Sequence, residues 1–167
     1  NAGGVHCLRY GLTVHNVQGL RVVMADGELV DFGGTGPETP GYDLLALFCG
    51  SEGLLGIVVE AELRLLPIPT TARVLVAAFD EVRAAGDAVA AVLAAGIVPA
   101  GMELMDRLAT RAAEDFAHAG YPTDAEALLL VEVDGTEAEV DDGMARLAGL
   151  LEGHGGRDLR VSRDEAE

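Results

Sequence analysis

The chain has 167 residues, half of them hydrophobic, and its 28 acidic against 11 basic residues give a formal net charge of -17. A surface this acidic repels phosphate groups, which argues against nucleic acid and anionic membranes as partners. The alternative interpretation of the charge is an acidic face that docks a basic partner. No uninterrupted apolar run approaches the about 20 residues that a membrane-spanning helix needs.

The N-terminal part of the chain predicts a β-hairpin followed by a short helix. Residues 17–32 contain two β-rich runs on either side of Asp26-Gly27, which is a strong turn signal. The glycine- and proline-rich stretch 33–41 predicts a loop. Asp43 is then placed to cap a short helix, because a carboxylate at that position accepts from free backbone N–H groups.

A domain boundary is predicted where prolines interrupt the chain. The run 54–66 is rich in β-branched and leucine residues and predicts a long strand. Pro67 and Pro69 end this strand, since proline removes a backbone donor and fixes an extended connection. The segment 67–72 is therefore the predicted boundary.

From about residue 72 onward, strand and helix patterns alternate in short steps. Asp80 is a plausible N-cap for an alanine-rich helix, and Gly96 lies just past its end. Thr136 and Glu139 have the spacing of a capping box for a later helix. The alternation predicts a ferredoxin-like α+β layer.

The two cysteines and four histidines offer little catalytic chemistry. Cys7 and Cys49 are far apart and form no CxxC motif, which is typical of reduced thiols in a cytoplasmic protein. His6, Cys7 and His15 form a possible metal trio, but partly buried, hydrogen-bonded histidines are the plainer interpretation. Ser51 lies in GSEG, which lacks the nucleophile elbow of hydrolases. We therefore predict neither a metal site nor a catalytic residue.

Two glycine-rich segments stand next to β-branched runs, NAGG at 1–4 and GSEGLLGIVVE at 50–60. Glycines in such positions let backbone N–H groups approach an anion or a flat ring without a side chain between them. The alternative is a tight turn that leads into a buried strand. The residues alone leave both interpretations open.

Taken together, three segments resemble the FAD-linked oxidase family and within it the glycolate oxidase branch. They are NAGGVHCLRYGLTVHNV, GYDLLALFCGSEGLLGIVVEAELRLLP and AGYPTDAEALLLVEVDG, in that order along nearly the whole chain. The resemblance implies a vanillyl-alcohol-oxidase-type FAD domain followed by a cap domain. On that basis residues 1–69 are the C-terminal part of the FAD-binding domain, and 70–167 are the N-terminal part of the ferredoxin-like cap. We expect the chain to be a fragment.

The resemblance also implies which residues contact the cofactor and the substrate. Residues along the flavin are Asn1, Ala2, Gly3 and Gly4. Residues near the nucleotide end of FAD are Gly53, Gly56, Ile57 and Val58. Arg9 and Tyr10 are implied at the rim of the flavin pocket, where Arg9 would hold a substrate carboxylate. A surface salt bridge is the alternative role for Arg9.

The implied function is oxidation of a small 2-hydroxy acid of the glycolate or D-lactate type, by hydride transfer to FAD. The implied partners are the other subunits of an oxidase complex. No residue of the chain matches the base that would remove the hydroxyl proton, so these 167 residues alone are expected to be inactive. The alternative is a non-catalytic acidic α+β module that binds a protein or a small effector without flavin.

Overall fold

The computed structural model of the chain describes residues 4–34 and 41–162. It divides into two compact units, an N-terminal unit over Asn1–Pro67 and a C-terminal unit over Ile68–Glu167. The division falls at the start of the proline-flanked connection 67–72.

The N-terminal unit is built on a three-stranded antiparallel sheet in the order β2-β1-β3. Its strands are β1 (Val17–Val23), β2 (Leu29–Gly33) and β3 (Ile57–Leu63), and its helices are α1 (Cys7–Tyr10), α2 (Thr13–Asn16) and α3 (Leu44–Phe48). The predicted hairpin is confirmed, since β1 and β2 pair in register across the Asp26-Gly27 turn. Asp43 caps α3 as predicted, because its carboxylate accepts from the Ala46 N–H at 3.0 Å.

The core of the N-terminal unit is small and lies on one face of its sheet. Val17, Leu20, Val22 and Phe48 are buried, and the Phe48 ring stacks on Phe32 with centroids 4.4 Å apart. The edge strand β3, by contrast, is exposed along its whole length. Its apolar side chains are therefore open to a ligand or to further protein.

The C-terminal unit is a four-stranded antiparallel sheet in the order β5-β6-β4-β7. Its elements are β4 (Thr71–Phe79), α4 (Val82–Ala94), β5 (Gly101–Asp106), α5 (Arg107–Ala117), β6 (Ala127–Gly135), α6 (Glu137–Gly153) and β7 (Arg157–Val161). Two β-α-β units interleave in this order, which is the ferredoxin-like arrangement, with α5 added before β6. The predicted α+β fold is confirmed.

The main core of this unit lies between the sheet and the helices α4 and α6. Alternate residues of the central strand β4, namely Leu75, Ala77 and Phe79, are completely buried in it. Helix α6 begins with the predicted capping box, in which the Thr136 N–H donates to the Glu139 carboxylate at 2.9 Å. The second face of the sheet carries a smaller cluster around Ala78 and is partly open.

Asp80 does not have the predicted capping role. Helix α4 begins after Glu81, and the carboxylate of Asp80 instead accepts from Arg157 Nε at 2.9 Å. A charged donor on the neighbouring strand outcompetes the backbone N–H groups for this carboxylate, because charge-assisted hydrogen bonds are stronger than neutral ones.

Candidate functional site

The first glycine segment leads into a cavity of the N-terminal unit. Gly4, Tyr10 and Leu63 line this cavity, which has a volume of about 420 Å³. The Gly4 N–H donates to Cys7 Sγ at 2.9 Å, and the Cys7 N–H donates back to the Gly4 carbonyl at 3.0 Å. Of the first glycine segment, Asn1, Ala2 and Gly3 lie outside the described residues.

The predicted substrate residues Arg9 and Tyr10 lie side by side on α1. The Arg9 guanidinium carbon is 5.9 Å from the centre of the Tyr10 ring, which is within the range of a cation–π contact. Tyr10 lines the same cavity as Gly4, and Arg9 is exposed beside it. The structure therefore brings Gly4, Arg9 and Tyr10 to one region.

Asn16 holds this region to the sheet, and sequence reasoning missed it. Its side-chain amide donates to the carbonyl oxygens of Tyr10 at 3.0 Å and Leu12 at 3.1 Å. Its side-chain oxygen accepts from Arg64 Nη2 at 3.2 Å, and its backbone oxygen accepts from the Arg64 N–H at 2.8 Å. One asparagine thus ties the segment containing α1 to the end of β3.

The second glycine segment forms a tight turn before β3. The Leu54 N–H donates to the Ser51 carbonyl at 2.9 Å, and the two residues between them, Glu52 and Gly53, have φ angles of 54° and 80°. Two consecutive positive φ angles are typical of a type I′ turn. Apart from Gly53 and its two chain neighbours, no described atom lies within 4 Å of the position a Gly53 Cβ would take. The Gly53 backbone is therefore open to close approach.

Gly56 must be a glycine because of packing within the N-terminal unit. A Cβ at this position would lie 2.6 Å from Val22 Cγ1 and 2.9 Å from the Val23 carbonyl oxygen, so close packing against β1 leaves no room for a side chain. Ile57 and Val58, which follow it, are 66% and 46% exposed. This part of the segment offers an apolar surface next to the open turn.

The two glycine segments lie toward opposite ends of β3. Gly4 shares a cavity with Leu63 at one end of the strand, and Gly53 precedes Ile57 at the other. At about 3.3 Å per residue, the two ends of β3 are about 20 Å apart. One small ring cannot reach both segments, whereas an extended dinucleotide can.

The C-terminal unit has a cleft that sequence reasoning missed. It measures about 450 Å³ and lies on the sheet face opposite α4 and α6, with Val74, Val76, Leu130 and Tyr121 among its lining residues. The sequence pattern that could have predicted it is the run of consecutive apolar residues in β4 and in β6. Such runs are typical of strands that are covered on both faces of a sheet.

One wall of this cleft is the loop after α5, and hydrogen bonds from two sides hold it. The carboxylate of Glu114 accepts from the Gly120 N–H at 3.1 Å and the Tyr121 N–H at 2.9 Å. From the other side, Arg160 Nη1 donates to the Gly120 carbonyl at 2.7 Å. Glu114, the loop and Arg160 are therefore linked by one set of hydrogen bonds.

The described residues show no metal centre and no membrane helix. Within 4–34 and 41–162, no three histidine, cysteine or acidic side chains are grouped closely enough to hold a metal ion. No helix in those same ranges is both long and apolar enough to cross a bilayer.

Comparison with known proteins identifies relatives over the whole chain. Glycolate oxidase subunit GlcD of Escherichia coli is 54% identical over all 167 residues, which span 34% of that protein. The GlcD subunit of Bacillus subtilis is 39% identical over the full chain and 36% of its own length. A probable mitochondrial D-lactate dehydrogenase of Danio rerio is 33% identical over 99% of the chain and 34% of its own length. The chain thus spans about a third of the length of these curated relatives.

The fold recurs in a solved structure of low sequence identity. An alkyldihydroxyacetonephosphate synthase superposes on 98% of the chain with a TM-score of 0.76 and 16% identity, and the chain covers 32% of it. The family model for the C-terminal domain of FAD linked oxidases matches residues 68–167. The resemblance predicted from the three segments is confirmed: the chain belongs to the FAD linked oxidases, and its residues 68–167 are part of their C-terminal domain.

Proposed function

We propose that the chain is part of a longer flavin-dependent oxidoreductase that oxidises a small 2-hydroxy acid of the glycolate or D-lactate type. The observation that carries this proposal is the 54% identity to a glycolate oxidase subunit over every residue of the chain. The identity extends over both units of the chain, which together correspond to about a third of that relative, and it supports a shared activity of the complete protein.

FAD is the proposed cofactor, and the N-terminal unit is the proposed part of its binding domain. Apart from the glycine itself and its chain neighbours, no described atom lies within 4 Å of the position that a Cβ would take at Gly4 or at Gly53, and Ile57 and Val58 present an exposed apolar surface. These features fit a flat, extended ligand. In our proposal Gly4 lies along the flavin with Asn1, Ala2 and Gly3, whereas Gly53, Gly56, Ile57 and Val58 lie toward the nucleotide end. Bound FAD supplies the hydride acceptor.

The remaining assignments follow from the same proposal. Residues 1–69 belong to the FAD-binding domain and 70–167 to the cap domain. Arg9, stacked beside Tyr10, is a candidate to hold the substrate carboxylate, because a guanidinium pairs with a carboxylate in two parallel hydrogen bonds. We assign no residue of the chain as the base.

The proposed setting is a cytoplasmic, multi-subunit oxidase. The two cysteines of the chain are both free thiols, which suits a reducing compartment. The relatives from Escherichia coli and Bacillus subtilis are each named as a subunit of glycolate oxidase, and we propose that this chain also acts beside other subunits.

Purification of the complete gene product from its source, followed by intact mass and visible absorption, tests the proposal. We expect a mass well above 17.3 kDa and a yellow protein that releases FAD on denaturation. A colourless protein that stays colourless after incubation with FAD contradicts it. That outcome favours the non-catalytic acidic module.

A further inference from the structure

Arg160 lies on β7, an edge strand of the C-terminal sheet, and faces the open side of that sheet. It pairs with Val76 of β4, so its side chain shares a face with Val76 and lines the cleft. Glu132 of β6 pairs with Val74 on the same face. Because β4 lies between β6 and β7, and the two residues pair with positions of β4 that are two residues apart, the backbones of Glu132 and Arg160 are about 12 Å from each other.

The guanidinium of Arg160 has donors to spare. Within the described residues, no carboxylate lies within ion-pair distance of Arg160, although the net charge is -17. Arg157, three positions earlier, contacts the carboxylates of Asp80, Asp124 and Asp158. Asp158, which also lines the cleft, is therefore already occupied by Arg157.

The same guanidinium is held in place and borders an apolar floor. Its bond to the Gly120 carbonyl uses one of its five N–H donors and fixes the side chain against the loop that Glu114 anchors. The apolar residues Val74, Val76 and Leu130 form the part of the cleft floor beside it. A guanidinium that is already oriented and lies beside apolar side chains binds an anion more strongly than a guanidinium that is mobile and fully solvated.

We propose that this cleft binds a small monocarboxylate, with the carboxylate on Arg160. The carboxylate accepts from the free donors of the guanidinium fork, which is the geometry that arginine favours. Glu132 on the far side of the floor disfavours a second carboxylate in the same ligand. The choice of 2-hydroxy acids as the physiological ligands rests on the proposed function, but carboxylate binding itself requires no flavin.

NMR titration of the isotopically labelled complete gene product tests this site directly. Glycolate and acetate are the ligands, and malonate is the dicarboxylate comparison. We expect saturable shifts of the Arg160 Nε–H and the Tyr121 amide with both monocarboxylates, and weaker binding of malonate. R160Q should weaken binding by about tenfold or more, since it removes a charge-assisted contact. Shifts that are absent, or that are unchanged in R160Q, overturn the proposal.

Three further variants make the result interpretable. Unchanged Gly120 and Tyr121 amide positions in unliganded R160Q will show that the loop is kept. If these positions move, R160K takes the place of R160Q, because lysine keeps the charge but lacks the fork. R83Q makes the same charge change on the exposed part of α4 and should bind glycolate normally. R9Q tests the other candidate: loss of binding in R9Q but not in R160Q overturns the assignment to the cleft.

The same experiment separates this inference from the proposed function. Carboxylate binding that depends on Arg160, in a gene product whose flavin no hydroxy acid reduces, supports the cleft and contradicts the oxidoreductase. Flavin reduction by glycolate, with no Arg160-dependent binding, contradicts the cleft alone.

Discussion

The side-chain amide of Asn16 donates a hydrogen bond to the carbonyl oxygen of Tyr10 at 3.0 Å. The same side chain accepts from Arg64, just beyond the end of β3. The position of the α1 segment, with its candidate cofactor and substrate residues, therefore depends on Asn16, whose side-chain hydrogen bonds are made within the protein.

Asn16→Ala should loosen the α1 segment without unfolding the sheet. The substitution removes three side-chain hydrogen bonds, and we expect a loss of about 1–2 kcal/mol in local stability. Hydrogen exchange at the Tyr10 and Gly11 amides, which donate to His6 and Cys7, measures that loss. Gln18→Ala, an exposed change on β1, is the matched control. Equal protection in the two variants would show that Asn16 does not anchor the segment.

The two central glycines of the second segment should respond differently to alanine. Gly56→Ala forces a methyl group against the Val23 carbonyl and should destabilise the N-terminal unit by about 1–3 kcal/mol. Gly53→Ala meets no clash but must adopt a φ near 80°, at a cost of about 1–2 kcal/mol. Urea denaturation measures both.

FAD affinity then tests whether Gly53, unlike the packing residue Gly56, contacts the cofactor. If the open Gly53 backbone contacts FAD, Gly53→Ala should weaken FAD binding in the complete gene product while most of the protein remains folded. Normal FAD affinity in a folded Gly53→Ala variant would leave Gly53 as a turn residue only.

The Arg21–Asp31 pair predicts a specific pH dependence of stability. Arg21 Nε donates to Asp31 at 2.8 Å, and this hydrogen bond holds the pKa of the Asp31 carboxyl below its ordinary value of 3.8. A depressed pKa contributes stability above the unfolded-state value, and that stability is lost as the pH falls through the folded-state value. The effect is small because both groups are exposed.

Thermal midpoints of the wild type and Asp31→Asn test this at neutral pH and below pH 3.8. The wild type should have the higher midpoint at neutral pH, and the difference should shrink in acid as Asp31 is protonated. Asp87→Asn, on the exposed part of α4, corrects for the loss of a negative charge as such. A difference that is the same at every pH would contradict the ion-pair account.

Asp80 and Arg157 should behave as a coupled pair. Asp80→Ala destabilises the wild-type protein in our account because it removes one of the contacts that hold β7 to the end of β4. In an Arg157→Gln background the same substitution should have almost no effect. A double-mutant cycle by thermal unfolding measures the coupling. If Asp80 acted as a helix cap, the effect would persist in both backgrounds.

Features decided by near neighbours were predictable from the sequence. The turn at Asp26-Gly27 and the capping box of Thr136 and Glu139 each depend on residues within a few positions, so local propensity is sufficient. Asp80 was assigned wrongly because its partner lies 77 positions away, and sequence spacing gives no information about a contact across two strands.

The candidate sites show the same division. The open turn at Gly53 follows from its composition, whereas the reason for Gly56 is a contact with β1 that only the strand register reveals. The cleft around Arg160 depends on β7 pairing with β4, which a single sequence does not specify. Functional roles for Arg9 and Tyr10 came from family resemblance and stay predictions.

Anaerobic reduction of the bound flavin by glycolate and D-lactate tests the central claim most directly. The complete gene product, purified with its FAD, is mixed with each 2-hydroxy acid in the absence of oxygen, and the visible flavin band is followed. We expect rapid loss of the band with at least one of the two acids, and no loss with acetate, which lacks a hydroxyl group to oxidise. A flavin that dithionite reduces but neither hydroxy acid does would contradict it.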